Sequence, residues 1–530
     1  MSFAFSPVSI RTVKKIIRKL KNKSAAGSDG LDTRIIKLSI DVIAAPLTCI
    51  INQSLSTGIF PKTWKLARVV AVHKKGSKDM CCNYRPISCL NVGAKVLETV
   101  SKIQITKYFE DNKLFSSSQH GFRAKRSTNS ALIDAHTKWT NAMDEGKIAG
   151  VLSFDLSSAF DCVSADLLCN KLKIYGFDNI SIGWVRSYLS DRSQFVCIGN
   201  DISEVLIIKV GSPQGSVISP VLFIILLSDI DLWSEHSTIS GFADDNSATV
   251  IEDTFKNMIS KLESDACHIL SFMASNSLVA NEGKTTFMVF SNKRRENPDT
   301  PLSLKVGNSN IIEVREQKLL GIIFSSDLKW NRHISSLIEK VHHRLHILKN
   351  LSHLLPRAVL TIVAECLIMS NIRYCLPLFG RSRQNDLEPI PSEQSKLQVI
   401  QNHMLRTIYA LKIKDKTNMT KLRTQKDVMS INQITCQAII MEFRKALQFD
   451  TLPHTMEMIN VERRSNINTR SSSQGQIRPL KCRLSTTSNS FPAIAVRLWN
   501  KLPEDLRKSP TSDAIFKRSL AKWIKNSDIP

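Results

Sequence analysis

The sequence predicts an α+β protein, and three stretches carry that prediction. Ile148 to Phe154 (IAGVLSF) is a run of apolar and β-branched residues of strand length. HSTISGF and NSATVI, on either side of Asp244 and Asp245, keep the half-alternating pattern of two strands joined by a tight turn, which predicts a hairpin. Ile334, Leu337, Ile338, Val341, Leu345 and Leu348 recur at helical spacing with Lys340, Arg344 and Lys349 among them, which predicts a long amphipathic helix.

Along the chain, Val8 to Leu20 (VSIRTVKKIIRKL) alternates apolar and basic residues at helical spacing, a cationic helix that either lies on RNA or packs with a solvated face. Ser28, Asp29 and Gly30 supply turn chemistry before a helical stretch from Asp32 to Leu55, which ends near Gly58 and Pro61. Leu66 to Val72 (LARVVAV) reads as a strand, followed by His73, Lys74, Lys75 and Gly76 and then by NYRPIS with Arg85. Ser164 is placed to cap a helix over Ala165 to Tyr175, with Asp161 supporting that turn. Gly211 and Gly215 flank Gln214 and permit unusual φ and close backbone approach, and Ser219 with Pro220 reads as the cap and first turn of an apolar helix to Leu227. Leu319 to Phe324 reads as a strand beside Gly321. From about Lys412 the chain is more polar, Arg463 to Gln474 has the composition of a linker, and Trp499 in VRLWNKLP is expected to pack.

The formal charge is +25, from 72 Lys and Arg against 47 Asp and Glu, which suits a polyanionic partner and argues against an ordinary metabolic enzyme. A membrane surface is the rival polyanion. The longest apolar run, Val217 to Leu227, is broken by Ser219 and Pro220 and falls short of the roughly 18 residues of a span. No secretory signal is seen at MSFAFSPVSI, so an intracellular protein is expected. The 12 cysteines lack CxxC or knuckle spacing and read as reduced, mostly buried thiols.

Asp155 follows the Ile148 to Phe154 strand at its C-terminal end, where strand-borne ligands meet a cleft. An isolated Asp-Asp pair such as Asp244 and Asp245 is ordinarily a turn, since Asp bonds its own backbone there. Joined by a third carboxylate at another strand end, the pair makes a hard oxygen site suited to Mg²⁺, which takes carboxylates and substrate phosphates at about 2.0–2.1 Å. Two such ions, roughly 3.5–4 Å apart, activate a 3′-hydroxyl and stabilise a leaving pyrophosphate.

NYRPISCLN (Asn83 to Asn91), QHGFRAKRST (Gln119 to Thr128), SFDLSSAFDCV (Ser153 to Val163), GSPQGSVISPVLF (Gly211 to Phe223), GFADD, NEGKT (Asn281 to Thr285) and KLLGIIF (Lys318 to Phe324) occur in one order. In that order they resemble the reverse transcriptase of non-LTR (LINE-type, jockey-like) retrotransposons. AAGSDGLD (Ala25 to Asp32) resembles the family's lead-in and SFPAIAVRLWNKLP (Ser490 to Pro503) its C-terminal segment. The resemblance implies a right-hand polymerase of fingers, palm and thumb, with two Mg²⁺ ions, or Mn²⁺ in their place, on Asp155, Asp244 and Asp245. It implies Lys75 and Arg85 on the nucleotide's phosphates, Phe160 against its sugar, and Gln214 with Gly215 at the nascent base pair. A core aromatic is the alternative for Phe160, and a surface ion pair for Lys75. Lys284 resembles a lysine that protonates the leaving pyrophosphate; a solvated loop lysine is its alternative. Arg123, Lys125 and Arg126 would contact the template backbone, and Leu320 with Gly321 would form the primer grip.

The expected division is a basic helical lead-in over 1–55, fingers and palm over 56–325, a helical thumb over 326–412 and a mainly helical basic region over 413–530. Val461 to Pro530 holds fourteen Lys and Arg against five Asp and Glu, a net +9 and a plausible nucleic-acid arm. The expected partners are an RNA template, a DNA primer or target, dNTPs and the element RNA in a ribonucleoprotein, in nucleus and cytoplasm, without a membrane. The family's N-terminal endonuclease is not seen, nor an RNase H constellation, so the chain alone is not expected to nick DNA. Two rivals stand beside the polymerase: a maturase-like reverse transcriptase, and an inactive or co-opted remnant that only binds nucleic acid.

Overall fold

The computed structural model describes residues 2–22, 25–157, 160–293, 300–380, 392–461 and 475–527. The linker stretch Arg463 to Gln474 lies outside them. Two compact units emerge, each assembled from separate stretches of chain: 1–123, 154–246 and 264–285 form the first, and 124–153, 247–263 and 286–530 the second.

The first unit opens with helix Ile10–Lys19, whose Ser9 cap accepts from the Thr12 amide at 3.3 Å and whose Val13, Ile16 and Ile17 are buried. The helical stretch expected from Asp32 to Leu55 is divided at Ser39 into Thr33–Leu38 and Ile40–Thr57, the second ending at Gly58 in the left-handed conformation. Strand Leu66–His73 pairs antiparallel with Tyr84–Cys89 and parallel with Arg192–Ile198. The short strands Asp201–Ile202 and Leu206–Ile208 add to Arg192–Ile198. Helix Ala165–Ile174 carries the expected Ser164 cap. Helix Ser219–Leu226 is buried on nearly every side, which its uniformly apolar sequence requires. Ser219 lies inside that helix and not at its cap, because Ser216 Oγ takes the Ile218 and Ser219 amides at 3.2 and 2.9 Å.

In the second unit, helix Thr128–Asp144 starts on a Ser127/Ser130 capping box. Strand Ile148–Phe154 is buried along its whole length and pairs antiparallel with Thr286–Phe290, setting Ser153 opposite Thr286 and Ala149 opposite Phe290. Trp139 stacks on Phe290 at 4.7 Å and meets Phe324 edge-on at 5.3 Å. The strand expected from Leu319 to Phe324 is instead a hairpin of Glu316–Leu319 and Ile322–Ser325. Leu320 and Gly321 both take positive φ, 44° and 87°, and turn the chain back on itself. Helix Asn331–Leu351 buries Ile334, Leu337, Val341 and Leu348. Further helices include Ser392–Ile408, Ile431–Phe449, Phe491–Lys501 and Asp513–Asn526. Trp499 is buried against Phe443 at 5.6 Å, as its apolar setting predicts. No described helix is long and apolar enough to cross a membrane.

Candidate active site

Asp155 owes its position to the burial of the strand before it. Seven consecutive buried residues, Ser153 among them, keep the strand from solvent, and Asp155 is the first side chain to reach it, 25% exposed. Its carbonyl accepts from the Asn281 amide at 2.8 Å, and the next residues, Leu156 and Ser157, pair with Ala280 and Val279. That pairing delivers the short turn Glu282–Lys284, in which the Lys284 ammonium forms an ion pair with Asp155 Oδ2.

Asp244 and Asp245 sit at the expected hairpin. Strand Thr238–Phe242 ends, Ala243 and Asp244 form the turn, and Asp245 begins the strand Asp245–Glu252. Ala243 is held at φ 60°, a strained conformation for a residue with a side chain, so surrounding bonds must enforce it. They come from Gln119, whose Oε1 accepts from the Ala243 amide at 2.9 Å and from the Gly121 amide at 2.7 Å. His120 N donates to Gly241 O at 2.8 Å, and Gly241 N to Ser118 O at 3.1 Å. Asn246 Nδ2 donates to the Asp244 carbonyl at 3.2 Å. A Cβ on Gly241 would lie 3.0 Å from Gln119 Nε2 and 2.5 Å from Asn246 Oδ1, so a side chain there would displace the two amides that hold the turn. Gln119 and Asn246 therefore fix the turn. Sequence reasoning singled out the basic residues of QHGFRAKRST and passed over its glutamine, because the partner amide lies 124 residues away.

The carboxyl of Asp245 is pushed above the ordinary carboxylate range by loss of surrounding water, then by the charges of Asp244 and Asp155, with Lys284 opposing. Its side chain keeps solvent access, so water screens part of that push. Three oxygen donors whose charges reach one another fit a hard divalent cation, which would take over the neutralising role of the Lys284 ammonium at Asp155. As the side chains stand, no group of three His, Cys, Asp or Glu among the described residues is drawn close enough to hold an ion outright.

The first unit also holds Lys75, Arg85, Phe160 and Gln214. Val72 lies opposite Arg85 in the antiparallel pair, and Lys75 follows in the connecting loop; both basic side chains are exposed. Phe160 is half-buried, its ring 5.3 Å from that of buried Phe223, so it both packs and keeps an open face. Gln214 Nε2 donates to both carboxylate oxygens of Asp161, at 3.1 and 3.3 Å. Asp161 thus orients Gln214, a role that its proximity to the Ser164 cap concealed.

Arg123 is engaged within the first unit. Its guanidinium is 8% exposed, forks onto Glu110 at 2.9 and 2.6 Å, donates to the Ser116 carbonyl at 2.6 Å and lies over Phe115. A cation so engaged has most of its donors taken up by the fold. Lys125 and Arg126 belong to the second unit, where Lys125 Nζ sits 4.5 Å from the Phe449 ring centroid and Arg126 reaches the Asp450 carbonyl at 3.4 Å. Leu320 and Gly321 are also there, in the hairpin turn, with Tyr374 donating its hydroxyl to Leu320 O at 2.6 Å. Gly321, Lys318, His333, Lys340 and Tyr374 line a cavity of about 410 Å³.

Residues 72–324 match the reverse transcriptase (RNA-dependent DNA polymerase) family. The RNA-directed DNA polymerase from mobile element jockey of Drosophila funebris is 27% identical over 77% of this chain and 44% of its own length. The probable RNA-directed DNA polymerase from transposon BS of Drosophila melanogaster is 24% identical over 77% of this chain and 45% of its own. The Pol polyprotein from type-1 retrotransposable element R2 of Popillia japonica is 27% identical over 44% of this chain and 32% of its own. The chain spans less than half the length of these relatives. The family depends on divalent metal, and the matched segment contains Asp155, Asp244, Asp245 and Lys284. Over residues 72–324 the chain is thus similar to the reverse transcriptase family, and over most of its length to the RNA-directed DNA polymerases of mobile elements.

Proposed function

We propose that this chain is an RNA-directed DNA polymerase that extends a primer 3′-hydroxyl with deoxynucleoside triphosphates on an RNA template, as a step in copying a retrotransposon. The observation that carries the reading is the meeting, in one unit, of Asp155 at a strand end, the Asp244–Asp245 turn and the Lys284 ammonium. Two Mg²⁺ ions, or Mn²⁺ in their place, would be held by Asp155, Asp244 and Asp245 and would supply charge stabilisation at the attacking and leaving oxygens. The chain's own residues do the rest. Arg85 and Lys75 neutralise the triphosphate, with Arg85 suited to a two-pronged grip. Phe160 presents its open face to the sugar, and Gln214, held by Asp161, lies against the nascent base pair. Lys284 keeps a proton donor within reach of the carboxylates.

In this reading the mixed sheet of Leu66–His73, Tyr84–Cys89 and Arg192–Ile198 acts as fingers. The strands bearing the carboxylates act as palm, and the helices from Asn331 onward as thumb and basic C-terminal region. Support for nucleic acid on the thumb comes from a cavity of about 1000 Å³ in the second unit. Lys349, Arg357, Arg406 and Lys412 line it with four histidines, and no acidic residue does. The primer or target DNA and the element RNA would be held there and along the basic tail, in a ribonucleoprotein of nucleus and cytoplasm. Purified protein given a primed RNA template, dNTPs and Mg²⁺ is expected to extend the primer and to stop on chelation. No extension on any primed template, by folded protein that binds RNA, would contradict the reading.

A further inference from the structure

Beneath the loop that carries Gln214 lies a polar cluster with no access to solvent. Glu98, on helix Val92–Asp111, is fully buried, and its Oε2 accepts from the Val217 amide at 2.7 Å. Its Oε1 has no hydrogen-bond partner. Arg192, 1% exposed, donates from Nη1 to the Tyr188 carbonyl at 3.0 Å and lies 4.9 Å from the Tyr188 ring centroid, with Nε and Nη2 unpartnered. The buried Tyr188 hydroxyl donates to Ser216 Oγ at 2.8 Å, and Ser219 Oγ donates to the same atom at 2.8 Å. Burial raises the Glu98 carboxyl above its usual range, while the Val217 amide, the Arg192 charge and the Ser216 and Tyr188 hydroxyls pull it back down. An incompletely satisfied polar cluster of this kind is a cost to folding that apolar side chains of the same volume would avoid.

What the cluster touches suggests its purpose. Val217 and Ser216 end the loop Gly211–Val217, and other bonds of the loop run to Phe160 and to the strand that bears Arg85. Ser88 N donates to Gln214 O at 2.7 Å, joining the loop to the strand that bears Arg85. Ser212 N donates to Phe160 O at 2.8 Å. Gly215, at φ 107°, brings the loop so close to that strand that a Cβ there would lie 2.9 Å from Ser88 O. Arg85, Phe160 and Gln214 therefore share one loop, and Glu98 anchors its C-terminal end from below.

We infer that Glu98 is a positioning residue for the incoming nucleotide, fixing through the Val217 amide the loop that aligns Gln214 with Phe160 and the Arg85 strand, with Tyr188 holding Ser216 as the second anchor. Its kinetic consequence rests on the polymerase reading above; its structural consequence does not. Glu98→Ala, Glu98→Gln and Tyr188→Phe are to be compared with wild type by hydrogen exchange and by steady-state extension, each beside a thermal melt. Exchange of the amides of residues 211–217 should quicken about tenfold or more in Glu98→Ala and Tyr188→Phe, while the strand amides of 66–73 keep wild-type protection. The KM for dNTP should rise about tenfold in both, with kcat changed less than threefold or so, and Glu98→Gln, which keeps an acceptor for the Val217 amide, should return KM most of the way. Faster loop exchange with no extension by wild type would uphold the anchor and sink the polymerase reading. Unchanged loop exchange in folded Tyr188→Phe, or equal falls of kcat in Glu98→Ala and Glu98→Gln with KM unmoved, would overturn the inference. Should Glu98→Ala fail to fold, Tyr188→Phe and Glu98→Gln decide it by the same two readouts.

Discussion

Two stretches of this chain bring basic residues together under the same expectation, and they use them in opposite ways. In the hairpin formed by Leu66–His73 and Tyr84–Cys89, Lys75 and Arg85 stand exposed, and neither forms an ion pair among the described residues. In the stretch from Gly121 to Ser127, Arg123 is buried on Glu110 and Ser116, and Phe122 and Lys125 take positive φ, 56° and 66°. In the first stretch Arg85 sits in a regular two-stranded ladder, and His73, Asn83 and Tyr84 supply the donors that the connecting loop's carbonyls need, so its cations are not taken up by the fold. The second is an irregular turn whose carbonyls need donors, and a guanidinium with five N–H groups supplies them. Net charge says how many cations a protein has; which donors serve the local backbone decides how many remain available.

The largest expected effect lies at the carboxylates. Asp244→Asn removes ligand charge while nearly preserving shape, and losing several kcal/mol of transition-state stabilisation lowers extension by roughly a thousandfold, at about 1.4 kcal/mol per tenfold. RNA binding should be unchanged, since the cationic surfaces provide it. Next comes Arg123→Ala, which leaves Glu110 without its partner in a part-buried site; chemical denaturation should show a loss of about 3 kcal/mol, with the salt dependence of RNA binding unmoved. Arg85→Ala should do the reverse: a melting temperature within about 1 °C of wild type, and a KM for dNTP raised about tenfold by loss of a charge-assisted grip. If Arg85→Ala destabilises the fold and Arg123→Ala weakens RNA binding, the contrast between the two stretches is lost.

Smaller effects sharpen it. Phe160→Val should raise ribonucleotide incorporation relative to deoxynucleotide by about tenfold, because discrimination against one hydroxyl rests on a clash more than on attraction. A falling melt with an unchanged ratio would instead assign Phe160 to the contact with Phe223. Lys75→Ala should raise the KM for dNTP only a few-fold, in keeping with an exposed, flexible ammonium.

Much of this was legible in the sequence wherever the determinant is local. The Ile148–Phe154 strand, the turn carrying Asp244, the Ser164 cap and the apolar face of Asn331–Leu351 each depend on residues within a few positions of one another. What escaped depends on distance or on strain. KLLGIIF has the composition of one strand, and only tertiary bonds such as that from Tyr374 to Leu320 O, 54 residues apart, hold a leucine at φ 44°. Ser219 looks like a cap until Ser216, held by Tyr188, takes its amide. Gln119, Asn246 and Asp161 look like ordinary polar residues, because what they hold in place becomes visible only when the chain has folded. The carboxylates were found by pattern and family resemblance together; the residues that hold them were not, since turns of this kind are stabilised from wherever the fold places an acceptor.

The central claim is that Asp155, Asp244 and Asp245 hold divalent metal while the cationic surfaces, independently, hold nucleic acid. It is tested most directly by titrating Mn²⁺ into wild-type protein and into Asp155→Asn and Asp244→Asn, with an RNA-binding isotherm on the same samples. The account predicts Mn²⁺ binding weakened about tenfold or more in each variant, at unchanged affinity for RNA. Equal Mn²⁺ binding by wild type and both variants would contradict it.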